Sequence, residues 1–147
     1  MSVNTHVHIE NKSIDIYQGY EFVSEYNKGA ISSFIGTVRN INDGKVVNSM
    51  TYDVQVEMSI TTINDICNEN ILNIDSDLKQ YVTHFDGHLH VGGISVAIFV
   101  SSMHRKAAIA ASQYLIENIK IRAPIWKKEH YIEGHSEWLK GCALSCK

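Results

Sequence analysis

The sequence predicts an α+β fold. Three observations carry that reading. The apolar period switches between two and about 3.6 several times along the chain. The implied order of elements, β-α-β-β-α-β-β-α-β, mixes hairpins with crossovers. The single proline of the 147 residues, Pro124, falls where the last helical stripe gives way to an extended run. No repeat, low-complexity tract or Pro/Gly-rich linker interrupts the chain, so one domain over residues 1–147 is expected.

Taken in order, His6 to Glu10 alternates and reads as a short strand. Ser13 offers a cap for a helix over roughly Ile14 to Tyr26, with Gly29 as its stop. Ala30 to Val38 is β-branched and aromatic, hence a buried strand. Asn40 to Lys45 is a polar turn or loop in which Asp43-Gly44 is the strongest signal. Val46 to Val56 resumes as strand, with Tyr52, Val54 and Val56 on one face and Asp53 and Gln55 on the other. Ile60, Ile63, Cys67 and Ile71 form the stripe of a helix over Glu57 to Ile71. Lys79 to Phe85 and Gly93 to Val100 are strands joined through Asp86-Gly87. Ser101-Ser102 offers the cap of a helix to about Ile121, buried through Ala108, Ala111, Leu115 and Ile119. Pro124 ends it, and Ile125 to Ile132 reads as extended.

Composition narrows the function. Thirteen Lys and Arg against sixteen Asp and Glu give −3 with histidine neutral, a poor balance for general nucleic-acid binding. There is no run of about 18 apolar residues to span a membrane, and the start lacks the basic and apolar regions of a secretory signal. Three cysteines, Cys67, Cys142 and Cys146, in a chain without export features suggest reduced thiols and a cytoplasmic setting. Cys67 belongs to an apolar stripe and reads as core; Cys142 and Cys146 have no histidine at ligand spacing.

The residues with chemical promise are basic. Met103-His104-Arg105-Lys106 places cations in the first turn of a helix, where each is unfavourable by about 0.3–1 kcal/mol when exposed. Either an anion sits there, or the side chains point into water and the penalty is screened. Lys120, in the last turn of that helix, has a structural explanation in the helix dipole. Lys127 and Lys128 follow Trp126 on an extended segment, so the two face opposite ways. A solvated side chain suits Lys128; Lys127 beside Trp126 has a pocket as an open alternative, with Glu129 as a charge partner either way. Phe34-Ile-Gly-Thr-Val-Arg39 ends a strand with an arginine suited to a carboxylate or phosphate, and Gly36 within it suggests a bulge or close approach. His84, His88 and His90, like His6 and His8, read as surface histidines rather than metal ligands.

Together, Phe34-Ile-Gly-Thr-Val-Arg39, Tyr52 to Met58, His84 to Gly92, Val-Ser-Ser-Met-His-Arg105 and Ala-Pro-Ile-Trp-Lys-Lys-Glu129 resemble the catalytic (large) subunit family of molybdopterin synthase, in order over residues 29–138. The resemblance implies an α/β hammerhead-type fold with a mixed or antiparallel sheet and about three helices. It implies a central homodimer flanked by two small ubiquitin-like sulfur-carrier subunits, a heterotetramer. The implied reaction moves two sulfurs from the carrier's C-terminal thiocarboxylate onto cyclic pyranopterin monophosphate (precursor Z), forming the dithiolene of molybdopterin, with no cofactor or metal in this subunit. Carried over by motif, Lys120 and Lys127 are the catalytic pair. Arg39, His104 and Arg105 hold phosphate and pterin, Thr37 and Val38 line the site, Lys128 and Glu129 complete its edge, and Phe34 is a further pocket candidate. Phe85, Gly93 and Gln55 depart from the family, which often has Arg, an acid and Tyr there. A different class of function, a non-enzymatic binding module for a phosphorylated metabolite, would use the same basic pocket; a histidine-based metal binder is the third reading.

Overall fold

A computed structural model of the chain describes residues 3–132 and the backbone of a short strand at 137–138. Its centre is the pair of strands Lys79–Phe85 (β5) and Ile94–Ser102 (β7), which run antiparallel with Lys79 opposite Ser101 and His84 opposite Val96. Both are almost wholly buried, the pattern of strands covered from two sides. Thr5–Glu10 (β1) adds to β5 in parallel, and Ala30–Thr37 (β2) adds to β7 antiparallel, with a register shift between Gly36 and Thr37. The bulge that Gly36 suggested is therefore present. Strand β2 is an edge, and it alternates between half-buried and exposed instead of being fully buried as its apolar run implied.

One face of this sheet carries helix Ile16–Val23 (α1). Asp15, not Ser13, caps it: the Asp15 carboxylate accepts from the Tyr17 amide at 3.0 Å, and the helix stops at Ser24 instead of running to about Tyr26. The other face carries Val56–Asn73 (α2) and Arg105–Arg122 (α3). The stripe Ala108, Ala111, Leu115 and Ile119 is fully buried there, as its spacing required. On α2, Ile63 and Cys67 are buried with Ile66 and Asn70, while Ile60 and Ile71 lie at the margin. Val56 starts this helix and does not extend the preceding strand. Asn70 and Gln80 tie the layers together inside the core. Asn70 Nδ2 donates to Gln80 Oε1 (2.9 Å) and to the Ala111 carbonyl (3.1 Å), and Gln80 Nε2 donates to the Cys67 carbonyl (3.0 Å).

A second sheet is built on Lys45–Val54 (β4), flanked by Ile125–Tyr131 (β8) and Gly87–His90 (β6). Strand Ile41–Asn42 (β3) pairs with the start of β4, and Glu137–Trp138 (β9) pairs with β8. The turn between β3 and β4 is Asp43-Gly44, with φ of 49° and 77°. Positive φ at both central residues is the hairpin geometry that an Asp-Gly pair favours. Where the sequence implies a simple connection through Asp86-Gly87, strand β6 instead leaves the first sheet to pair with β4 before the chain returns as β7. Met50, Tyr52 and Val54 of β4 join the main core, and Asp53 faces out.

Helix α3 ends where Pro124 demands. The Ala123 amide donates to the Ile119 carbonyl (3.0 Å), and the Pro124 carbonyl accepts from the Gln55 amide (3.1 Å) and from Ser59 Oγ (3.4 Å). The turn from α3 into β8 is thus pinned to the junction of β4 and α2. Over the described residues the architecture is α+β with three helices and a mixed first sheet. Among the described residues no helix is long and apolar enough to cross a membrane.

Candidate functional site

Where the ends of the two sheets meet, a cleft of about 930 Å³ opens. Strand β2 supplies Phe34 to Thr37, and Arg39 follows just beyond the strand. The last turns of α3 supply Ile116 and Lys120, and β8 supplies Lys127. The β3–β4 hairpin, Ile41 to Gly44, forms one wall, and Tyr52, His84, Ser95 and Val96 line the rest. Lys120 and Lys127, seven positions apart, reach the same space because the chain turns at Pro124 between them.

Strand alternation decides between the two neighbouring lysines. Lys127 is opposite Tyr52 in the β4–β8 ladder and shares its cleft-side face; Lys128 is opposite Thr51 and takes the other face. There it neighbours His130, whose pKa is lowered by partial burial and by the nearby charges of His88 and Lys128. Lys128 is therefore no part of the cleft lining.

Glu129 returns to the inner face and is 3% exposed. Its Oε1 accepts from Asn42 Nδ2 at 2.8 Å and from the Tyr131 hydroxyl at 2.9 Å. Asn42 Oδ1 in turn accepts from Arg39 Nη2 at 3.4 Å. Glu129 thus sits behind the cleft wall and anchors the hairpin against which the Arg39 guanidinium rests. Asn42 is the link in this chain that the sequence reading missed.

Val38 does not line the site. Its side chain lies in the main core, and its amide and carbonyl bond to the Gly93 carbonyl (3.0 Å) and the Gly92 amide (2.9 Å). His104 and Arg105 do not line it either. His104 is the exposed N-cap of α3, at the opposite end from Lys120. At 1.5 Å per residue they stand roughly 22–24 Å from Lys120 along the helix axis. The three family departures also fall outside the lining: Phe85 is buried, Gln55 caps α2, and Gly93 closes the loop after β6.

His84 is not the surface residue that its place in the sequence implies. It is 1% exposed, because in β5 it shares the parity of Gln80 and Val82, which point into the main core. Its Nδ1 donates to the Phe85 carbonyl (2.9 Å), and its ring meets Tyr52 edge-on with centroids 5.2 Å apart. Burial lowers its pKa to about 4. Burial likewise raises the Tyr52 phenol, whose side chain also bonds to Ser95. Cys67 is sealed in the core and its thiol is pushed up to about 12, so it supplies no nucleophile. Cys142 and Cys146 lie outside the described residues. Among the described residues no group of three or more His, Cys, Asp and Glu is arranged to hold a metal ion.

The buried imidazole makes a pH prediction. Its folded pKa, about 4, lies below the value near 6.5 of an unfolded histidine, so the unfolded chain takes up the proton first. The contribution is complete above about pH 6.5 and is lost as pH falls toward 4, amounting to about 3 kcal/mol there. His6 and His130, also lowered, act in the same direction. Urea midpoints measured from pH 7.5 to 4.5 should fall steadily, and His84→Gln should flatten the slope. Identical slopes in the two proteins would refute the assignment.

Comparison with known proteins adds an independent line. A sequence model of the MoaE protein family matches residues 9–122. The chain is 38% identical over 141 residues to the molybdopterin synthase catalytic subunit of Dictyostelium discoideum, spanning 95% of this chain and 89% of that one. It is 40% identical over 124 residues to the subunit of the same name from Synechococcus elongatus, spanning 84% and 75%. Its fold is similar to the crystal structure of molybdopterin synthase from Staphylococcus aureus, with a TM-score of 0.86 at 32% identity over 96% of this chain and 99% of that one.

Proposed function

Because the chain belongs to the MoaE family, we propose that it is the catalytic subunit of a molybdopterin synthase, a sulfurtransferase acting on cyclic pyranopterin monophosphate. The sulfur comes from the C-terminal thiocarboxylate of a small ubiquitin-like carrier, and two transfers build the dithiolene. One observation carries the reading: Arg39 from the loop after β2, Lys120 from α3 and Lys127 from β8 line one cleft.

Both reactants are anionic, a phosphate ester and a thiocarboxylate. Two unit charges about 4 Å apart repel by roughly 4 kcal/mol at an effective dielectric of 20. Three cations on the walls reverse the sign of that encounter and stabilise oxyanions that form as the acyl–sulfur bond is broken. A lysine beside the reacting atoms also gives a proton as the ammonium and takes one back as the amine, which a guanidinium does not. Lys120 and Lys127 are therefore the catalytic pair, and Arg39 is the anion clamp, its guanidinium steadied through Asn42 and Glu129. Thr37 and Phe34 shape the wall beside them. His104 and Arg105, at the far end of α3, reach such a substrate only from a second copy of the chain, in keeping with the homodimer expected of the family. The site of action is the cytoplasm.

Reconstitution tests this directly. The chain, a thiocarboxylated carrier and precursor Z are expected to yield molybdopterin. A folded chain that binds the carrier and yields none would overturn the proposal.

A further inference from the structure

The cations account for the rim of the cleft but not for its floor. There Tyr52, His84 and Ser95 bring polar groups to positions no more than 7% exposed. Ser95 Oγ donates to the Gly36 carbonyl at 3.2 Å and also bonds to the Tyr52 side chain, so those two groups are engaged with each other and with β2. His84 differs. Its Nδ1–H is committed to the Phe85 carbonyl, which leaves Nε2 as the ring's acceptor. Nε2 makes no hydrogen bond to a described residue. The ring that carries this acceptor is among the groups lining the cleft, at its most buried part.

We propose that His84 Nε2 is a neutral acceptor subsite at the cleft floor, which takes an N–H or O–H donor of the substrate's uncharged heterocycle while Arg39, Lys120 and Lys127 hold the anionic groups. The inference rests on the pterin-phosphate reading given above and deepens it: the rim attracts any anion, and the floor selects the ring system attached to it. A fixed imidazole suits this task because its tautomer is set by the Phe85 carbonyl and its plane by Tyr52. It stays uncharged at neutral pH, so it adds an acceptor without adding to the positive field.

The test compares two probes, precursor Z and inorganic phosphate, by direct binding to the full chain. His84→Phe, which fills the space without an acceptor, should weaken precursor Z about tenfold and leave inorganic phosphate unchanged. His84→Gln, which restores an acceptor, should recover most of the loss. Equal weakening of both probes, or of neither, overturns the subsite. The wild-type chain provides a second measurement if the Phe variant does not fold. The Nε2 nitrogen resonance of His84 should move upfield on adding precursor Z and stay in place with inorganic phosphate; a resonance indifferent to precursor Z overturns the subsite as well. Should wild type neither bind nor convert precursor Z, the functional reading itself fails. Should wild type convert it while His84→Phe binds it normally, only the subsite fails.

Discussion

Replacing Lys127 with alanine is expected to reduce molybdopterin formation by about 10²–10³-fold while leaving the fold intact, the scale seen when one oxyanion-stabilising donor is removed. The side chain is half-buried at the cleft surface of β8, and the strand pairing that positions it is backbone hydrogen bonding that alanine retains. Lys120→Ala should act similarly, since Lys120 is exposed on α3 and holds no part of the core. The arginine variants separate charge from proton transfer. Lys127→Arg keeps the cation, so precursor Z should still bind. Turnover should stay low, because a guanidinium does not release its proton near neutral pH. Circular dichroism, binding and single-turnover assays together check the set. Undiminished turnover in both alanine variants would remove the two lysines from the mechanism.

The largest effect on stability is expected from Leu115→Ala. Leu115 is fully buried on the face of α3 that packs on β2, β7 and α2. Truncating such a side chain removes its transfer free energy and leaves a cavity, together about 2–5 kcal/mol. For a chain of this size that lowers the melting temperature by roughly 5–15 °C. Ile121→Ala is the control. It lies on the same helix but is 61% exposed, and should change stability by no more than about 0.5 kcal/mol. Thermal melts of the two variants decide the matter, and equal losses would mean that the buried stripe is misassigned.

Much of this organisation was legible in the residues. The helical stripe on α3, the strand at β5 and the break at Pro124 follow from periodicity and from the missing proline amide, and each is where it was expected. Element ends were less legible, because Ser13 and Asp15 are both capable caps and only packing selects between them. The edge position of β2 was hidden for a different reason: an apolar run looks alike in a central and an edge strand. The cations of the cleft came from motif resemblance, and the geometry then separated Lys127 from Lys128 by strand parity alone. The burial of His84 is hidden by its closeness along the chain to His88 and His90, which lie at the surface. Its parity with Val82, in a strand with no solvent face, was the available signal. Asn42 carried no signal of its own, since its role exists only once the hairpin folds over Glu129.

The bend at Pro124 has a consequence for where this chain tolerates a change of length. The two ammonium groups are spaced by the hexapeptide 121–126, a local ruler that distant insertions do not stretch. Within that hexapeptide the tolerance is nil: one added residue would turn residue 127 outward and present its neighbour instead. Insertions in outlying loops of this chain leave that spacing untouched, while this short corner must keep its count.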